Sequence, residues 1–395
     1  MSTGSASALA DQARLEPLSF QDLAGWEADD HAAAFQAFLR SCRPLEASAA
    51  ALRPAQAPQA DLLAVCREAL KTPGLGRAEA RRFFETRFQP LAVTPLSGGG
   101  FLTGYYEPEF RGSRRPDATY RVPLLDRPDD LVTIPQGETL PGLDKGLQAA
   151  RRTRGGYEPY PDRAAIENGA LGTLARPIVY LREPGEAFII HVQGSARIRL
   201  DDGSVMRVAY AGRNGRPYTS IGRLLVQRGE MDLETMTLDK LMGWLKSHPE
   251  SAKALMRQNQ SYIFFREAGE LAPEDGPIGG AGTPLVPGRS LAVDRSLWAY
   301  GLPVWLDGQL PLTLDTAEPL RRLMISQDTG SAIVGPARGD FFFGSGEEAG
   351  RRAGLLRHAV RFVVLQPNPR SCPSEAAPAS SAPRRSGSGL TWPGM

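Results

Sequence analysis

The hydrophobic rhythm of this chain changes repeatedly along its length, and that succession restricts the fold more than any single motif. Residues 19–87 read as helical. Asp30 is placed to cap a helix carrying Phe35, Phe38 and Leu39, and Asp61 to cap another carrying Leu62, Leu63, Val65 and Leu70. Gly74 and Gly76 interrupt before a third stretch through Phe83, Phe84 and Phe88. Gly98-Gly99-Gly100 then leads into Phe101-Leu102-Thr103-Gly104-Tyr105-Tyr106-Glu107-Pro108. Aromatic and β-branched residues there favour a strand, and the proline ends it. Residues 113–240 read as β structure with loops, with short strand candidates at Ile178 to Leu181 and Phe188 to Val192. Arg197 to Leu200 alternates polar with apolar, Asp202-Gly203 supplies a turn, and Val205 to Tyr210 returns, which is a hairpin signal. Residues 232–258 turn helical again, with Thr237 as a cap and Pro249 restarting a second helix. From about 277, short glycine-rich strands resume at Ser290 to Val293, Pro303 to Leu306, Leu323 to Ile325 and Val360 to Leu365.

Helices, a β block, more helices and a second β block predict an α+β fold, mainly β, and 395 residues suffice for two domains. Short strands with little alternation suit a compact barrel better than an open sheet. Residues 1–18 read as a flexible leader, and 367–395, rich in Pro, Ser, Ala and Arg, as a disordered tail.

Composition narrows the partners. The net charge is +2 from 46 basic and 44 acidic side chains, without a long basic run, so nucleic acid is not expected. Four scattered histidines and the lack of a Cys-x-x-Cys pair argue against a metal site. Cys42 and Cys66 each read as a small core residue, with a disulfide between them open to the chain in an oxidising compartment. No stretch reaches the ~18 apolar residues needed to span a bilayer. No signal peptide is visible in the first twenty residues, so either the chain is cytoplasmic or this is not the start of an exported precursor.

The most unusual segment runs from Gln327-Asp328-Thr329-Gly330 to Gly339-Asp340-Phe341-Phe342-Phe343-Gly344-Ser345-Gly346. Asp340 precedes three phenylalanines. A carboxyl group against aromatic surface is desolvated, its pKa rises, and it holds the proton that a general acid needs. Turn formation is the plainer account of each Asp-Gly or Gly-Asp pair. Asp328-Thr329-Gly330-Ser331 also matches an aspartic-protease signature, but a second Asp-Thr-Gly is missing, so that activity would require a symmetric dimer. In Gly104-Tyr105-Tyr106-Glu107 two rings offer faces for stacking on sugars. The segments Gln193 to Arg197 and Ala211 to Ser220 are rich in neutral donors and acceptors, which suits a polar uncharged ligand as well as ordinary turns. Gly-x-Ser-x-Gly and a phosphate-binding loop are missing. The residues favour a carboxylate-using enzyme or a sugar-binding module.

Thr103-Gly104-Tyr105-Tyr106, His191-Val192-Gln193-Gly194-Ser195, Tyr210 to Gly215 with Tyr218-Thr219-Ser220-Ile221-Gly222, Asn259 to Phe265, Gly288 to Asp294, Gln327-Asp328-Thr329-Gly330 and Gly339-Asp340 with Phe343-Gly344-Ser345-Gly346 form an ordered set. Through it, residues 98–366 resemble the membrane-bound lytic murein transglycosylase A family. The resemblance implies a double-psi β-barrel domain from residues 19–107 plus 255–366, with N-terminal helices, and an inserted β-rich substrate-binding domain at 108–254. It implies Asp340 as the catalytic acid, supported by Asp328, and substrate contacts at Thr103, Gly104, Tyr105, Tyr106, Gln193, Ser195, Asn214, Tyr218 and Ser220. The implied reaction is non-hydrolytic cleavage of the β-1,4 bond between N-acetylmuramic acid and N-acetylglucosamine, without cofactor or metal. Peptidoglycan glycan strands are the implied partner, in the periplasm or at the inner face of the outer membrane. Members often carry lipid on an N-terminal cysteine. Here the first cysteine is Cys42, inside a helical segment, so membrane association is expected only if the chain is lipidated or exported as in the family. Ala196 also stands where the family commonly has glycine. The rival readings are a peptidoglycan glycoside hydrolase using both aspartates with water, a non-catalytic wall-binding protein, and the dimeric protease.

Overall fold

The computed structural model describes residues 8–135, 138–269, 271–272 and 274–369. The expected leader lies partly outside these residues and the expected tail almost wholly so. Where the leader is described, it holds a strand, β1 (Ala13–Pro17), paired antiparallel to β2 (Phe88–Pro95). Between them lie α1 (His31–Glu46), α2 (Ala60–Ala69) and α3 (Arg77–Arg87). Asp30 caps α1 by accepting the Ala33 N–H, as expected. Helix α2 begins at Ala60, so Asp61 lies in its first turn instead of capping it. Phe88 starts β2 instead of ending the third helix. The helices pack as a hairpin around an aromatic cluster, with the Phe35 and Phe83 centroids 5.0 Å apart and Phe38 and Phe88 5.8 Å apart. Burying each such ring stabilises by roughly 1.5–3 kcal/mol. A disulfide, Cys42–Cys66, joins α1 to α2. Asp29 and Arg289 form a buried bidentate pair at 2.8 and 2.9 Å, which fixes the start of this layer to the sheet beneath.

After β3 (Phe101–Glu107) the chain passes Pro108 into a second sheet. In chain order follow β4 (Glu109–Ser113), β5 (Val122–Leu125), β6 (Leu131–Thr133), β7 (Ala149–Thr153) and β8 (Gly156–Pro159). Then come α4 (Arg163–Glu167), β9 (Pro177–Leu181), α5 (Pro184–Gln193), β10 (Ser195–Leu200) and β11 (Val205–Arg213). The segment closes with α6 (Ile221–Gln227), α7 (Leu238–Ser247), α8 (Pro249–Arg257) and β12 (Ile263–Glu267). Among the described residues, β12-β11-β10-β4-β9-β5 form one sheet and β6-β7-β8 a smaller one. The hairpin predicted at 197–210 is β10–β11, with Arg197 opposite Arg207. The last strand of this sheet lies beyond residue 254, where the insert was expected to end.

One expected strand is a helix. Phe188 to Val192 lie within α5, which Pro184 opens and Gly194, at φ 83°, closes. Every residue from Ala187 to His191 is buried, so this helix shows no polar stripe. A short apolar run without periodicity fits strand and helix equally well.

The chain returns through β13 (Ser290–Val293), β14 (Pro303–Pro311), β15 (Ala317–Asp328), β16 (Arg338–Ser345), α9 (Glu347–Leu355) and β17 (Arg357–Pro367). Among the described residues the first sheet runs β1-β2-β17-β14-β15-β13-β16-β3, and β17 also pairs with β3. Six strands therefore close into a hydrogen-bonded ring, which leaves them without an open edge. Its interior and the helical layer share one core, with Phe341, Leu291, Leu323, Met324 and Ile325 at or near zero exposure. The protein is a mixed α/β molecule in which sheets dominate. Among the described residues no helix is long and apolar enough to cross a membrane.

Candidate active site

The ladder of the ring explains how the two acids meet. Thr103 on β3 lies opposite Asp340 on β16, Asp340 opposite Ala292 on β13, and Ala292 opposite Asp328 on β15. Residues directly opposite one another share a face of the sheet. The β13–β15 register shifts between Leu291 and Ala292, so that Asp328 instead of Gln327 stands opposite Ala292, and Thr103, Asp340, Ala292 and Asp328 form one row although the acids are twelve residues apart in sequence. Neighbouring strands lie about 4.8 Å apart, which puts the two aspartate backbones roughly 9–10 Å apart. All four residues line one cleft of about 430 Å³, with the second sheet and its helices along the opposite side.

Asp340 Oδ1 accepts the Thr103 hydroxyl at 2.6 Å, and that hydroxyl accepts Arg338 Nη2 at 2.7 Å. Burial raises the Asp340 pKa to about 6; the Thr103 bond and Arg338 pull the other way, and Asp328 adds to the rise. Asp340 therefore keeps its proton well above the usual carboxylate range. Asp328 Oδ1 accepts the Gly280 N–H at 2.7 Å. A side chain on Gly280 would come within 2.5 Å of the Tyr300 hydroxyl, so only glycine lets the backbone approach this acid. Gly104 is constrained in the same way: a Cβ there would lie 2.6 Å from Phe343 and 2.8 Å from the Ala353 backbone.

Of the other expected site residues, Gly104, Tyr105, Gln193, Ser195 and Tyr218 line the same cleft. Tyr105 is buried, with its hydroxyl close to Asp328 but in no well-aligned hydrogen bond among the described residues. Burial pushes its pKa up, and the charges of Asp328 and Asp340 push it further. Gln193, at the end of α5, accepts the Tyr106 N–H with Oε1 at 3.2 Å and so ties the insert to β3.

Tyr106, Asn214 and Ser220 are placed elsewhere. Tyr106 packs under α9 with Ala349 and Ala353. Asn214 is fully buried; its amide donates to the Pro161 and Gln260 carbonyls, and its Oδ1 accepts the Tyr262 N–H. Ser220 caps α6 by accepting the Arg223 N–H.

Other lining residues were assigned no role from the sequence, although His191 and Tyr210 stand in quoted motifs. Arg163 donates to His191 Nδ1 at 3.0 Å and to the Asn259 and Ser261 carbonyls. Arginine can only donate, so His191 Nδ1 is an acceptor and its proton sits on Nε2. Burial and the Arg163 charge hold His191 well below its ordinary pKa, hence neutral. Its Nε2 is buried without a partner among the described residues. Arg53 reaches the cleft from the loop between α1 and α2 and lies 4.2 Å over the Tyr210 ring. Among the described residues no group of three or more His, Cys, Asp or Glu could hold a metal ion.

Comparison with known proteins gives a consistent set of relatives. Residues 101–266 match the MltA specific insert domain, and residues 289–366 the 3D domain. The membrane-bound lytic murein transglycosylase A of Vibrio cholerae is 31% identical over 275 residues, covering 68% of this chain and 66% of that protein, just under two thirds of its length. Among solved structures, the membrane-bound lytic murein transglycosylase from Agrobacterium tumefaciens is 39% identical with a TM-score of 0.80, covering 89% of this chain and 97% of that one. Escherichia coli MltA with bound chitohexaose is 25% identical with a TM-score of 0.66, covering 90% of this chain and 95% of that one.

Proposed function

This chain belongs to the membrane-bound lytic murein transglycosylase A family, and from that membership we propose that it cleaves peptidoglycan glycan strands without water, with Asp340 as its acid and base. The observation that carries the reading is one carboxyl group, hydrogen-bonded on one oxygen and with its pKa raised to about 6, on a cleft of about 430 Å³. The protonated Asp340 donates to the glycosidic oxygen between N-acetylmuramic acid and N-acetylglucosamine. As the C1–oxygen bond breaks, the muramyl 6-hydroxyl forms the new bond to C1 and gives its proton to the Asp340 carboxylate. The products are a 1,6-anhydromuramyl end and a free 4-hydroxyl on N-acetylglucosamine, and Asp340 is returned protonated. The attacking hydroxyl is tethered to the reacting sugar, so its effective concentration is high and no second carboxyl group is needed to activate water.

Asp328 acts at a distance, by keeping Asp340 protonated. Tyr105, Gly104, Gln193, Ser195 and Tyr218 bind sugar; Tyr106, Asn214 and Ser220 support that surface from behind. The bound chitohexaose of the E. coli relative is a β-1,4-linked sugar chain, which agrees with a glycan in this cleft. We read the closed ring as a double-psi β-barrel, built from 19–107 and 255–366 around an insert at 108–254. Action on the wall places the chain in the periplasm or at the inner face of the outer membrane, where the Cys42–Cys66 bond is stable.

The row that holds two acids supports one rival. Backbones roughly 9–10 Å apart leave side chains room for a water, as in an inverting glycosidase. Digestion of purified sacculi followed by mass spectrometry separates the two. The transglycosylase gives anhydro-ended fragments. Ends heavier by one water would establish hydrolysis, and sacculi bound without soluble fragments would establish a wall-binding protein.

A further inference from the structure

The arginines that line the cleft fall into two groups. Arg338 serves Thr103 and lies beside Asp340, Arg163 holds His191 and pairs with Glu167, and Arg127, which also meets no carboxylate among the described residues, spends both terminal nitrogens on the Ala211 and Leu131 carbonyls. Arg53, Arg213 and Arg295 also line the cleft, from three different parts of the chain: the α1–α2 loop, the end of β11 and the turn after β13. Among the described residues none of these three pairs with a carboxylate. Arg53 donates to the Thr329 carbonyl and lies over Tyr210, and Arg295 donates to the Pro54 carbonyl at 3.0 Å. Arg213 Nε is buried with no partner among the described residues. Burial draws the Arg213 pKa below its ordinary value; Tyr210 pulls the other way, and the charges of Arg53 and Arg295 lower it further. Asp328, the acid on this cleft not bonded to Thr103, accepts the Gly280 N–H.

Three guanidinium groups on one cleft, with Asp328 as the acid nearby, leave an excess of positive charge that is unfavourable in the empty cleft and favourable once a further anion arrives. A chain of N-acetylglucosamine is neutral. A murein strand carries carboxylate on every muramyl substituent, as the free lactyl acid of a stripped strand or as the acids of its peptide stem. We propose that Arg53, Arg213 and Arg295 form an anion subsite that receives a carboxylate of the muramyl substituent and so favours murein over neutral glycans. The proposal rests on the glycan reading above.

The test is calorimetric titration of Asp340→Asn protein, which should bind without cutting. Three ligands are compared: chitohexaose, a stripped murein oligosaccharide with free lactyl acids, and the same oligosaccharide bearing peptide stems. Arg213→Gln in this background should weaken an acidic ligand about tenfold at low salt while chitohexaose changes less than about twofold, and the preference should shrink as salt rises. A loss confined to the stem-bearing ligand assigns the carboxylate to the stem; a loss for the stripped ligand assigns it to the lactyl group. Arg295→Gln, at a partly exposed position, should repeat the effect more weakly, and retained chitohexaose affinity shows that either variant is folded. Equal loss for neutral and acidic ligands, or no loss for the acidic ones, overturns the subsite. If Asp340→Asn binds none of the three and the wild-type protein releases nothing from sacculi, the glycan reading itself fails and the subsite goes with it.

Discussion

The two sides of the cleft are built by different means. The side formed by the ring hangs its working groups on paired strands, so Thr103, Asp340, Ala292 and Asp328 are set by ladder register. The side formed by the insert offers Gln193 from the end of a helix, Arg213 from a strand end and Tyr218 from the loop that follows. A ladder position cannot shift without breaking neighbouring hydrogen bonds, whereas loops adjust at lower cost. The ring side is therefore suited to chemistry, which tolerates little displacement. The insert side is suited to recognition of a long and variable polymer.

The contrast is tested most severely at Asp340. Asp340→Asn should lower turnover on sacculi by about 10³-fold or more while glycan affinity survives; a folded variant that still cuts would transfer the chemistry to another group. Asp328→Asn should cost less, on the order of tenfold. Removing the Asp328 charge lowers the Asp340 pKa, so the limb on which kcat falls with rising pH, near 6 in the wild type, should move to lower pH. A limb that stays in place would show that Asp328 does not act through Asp340. On the insert side, Gln193→Ala should raise KM several-fold and leave kcat within about twofold; a kcat effect larger than the KM effect would erase the distinction between the two sides. The smallest change is expected for Thr103→Val. That substitution removes the hydrogen bond that favours the Asp340 carboxylate, so the same limb should move upward, by roughly one unit or less, with KM steady.

Much of the ring side was legible in the sequence, because Asp340 stands among aromatic residues and the Thr103 to Glu107 strand has a distinct composition. The row itself was not, since it depends on which strands pair, and β13 lies between two strands that come later in the chain. Asn214 and Ser220 illustrate the converse. Both are polar residues in loop-like sequence, and both are used by the backbone, one to satisfy buried peptide groups and the other to cap a helix. Arg53 and Arg163 carried no local signal, and His191 stood in a quoted motif that gave it no role. Their partners lie distant in sequence, as with Arg163 and the carbonyls of Asn259 and Ser261. The misread helix α5 was lost because burial on every side removes the periodicity that distinguishes helix from strand.

The bond between Cys42 and Cys66 fastens α1 to α2, and the loop that joins them carries Leu52, Arg53 and Pro54 onto the cleft. Closing a segment of this length stabilises by about 3 kcal/mol in the chain-entropy account. One wall of the proposed glycan cleft is thus anchored through a thiol oxidation, remote from the acids. A chain kept in reducing surroundings can assemble its acid row by strand pairing alone, yet holds Arg53 on a longer and slacker tether, so maturation of polymer selection would lag behind maturation of the catalytic row.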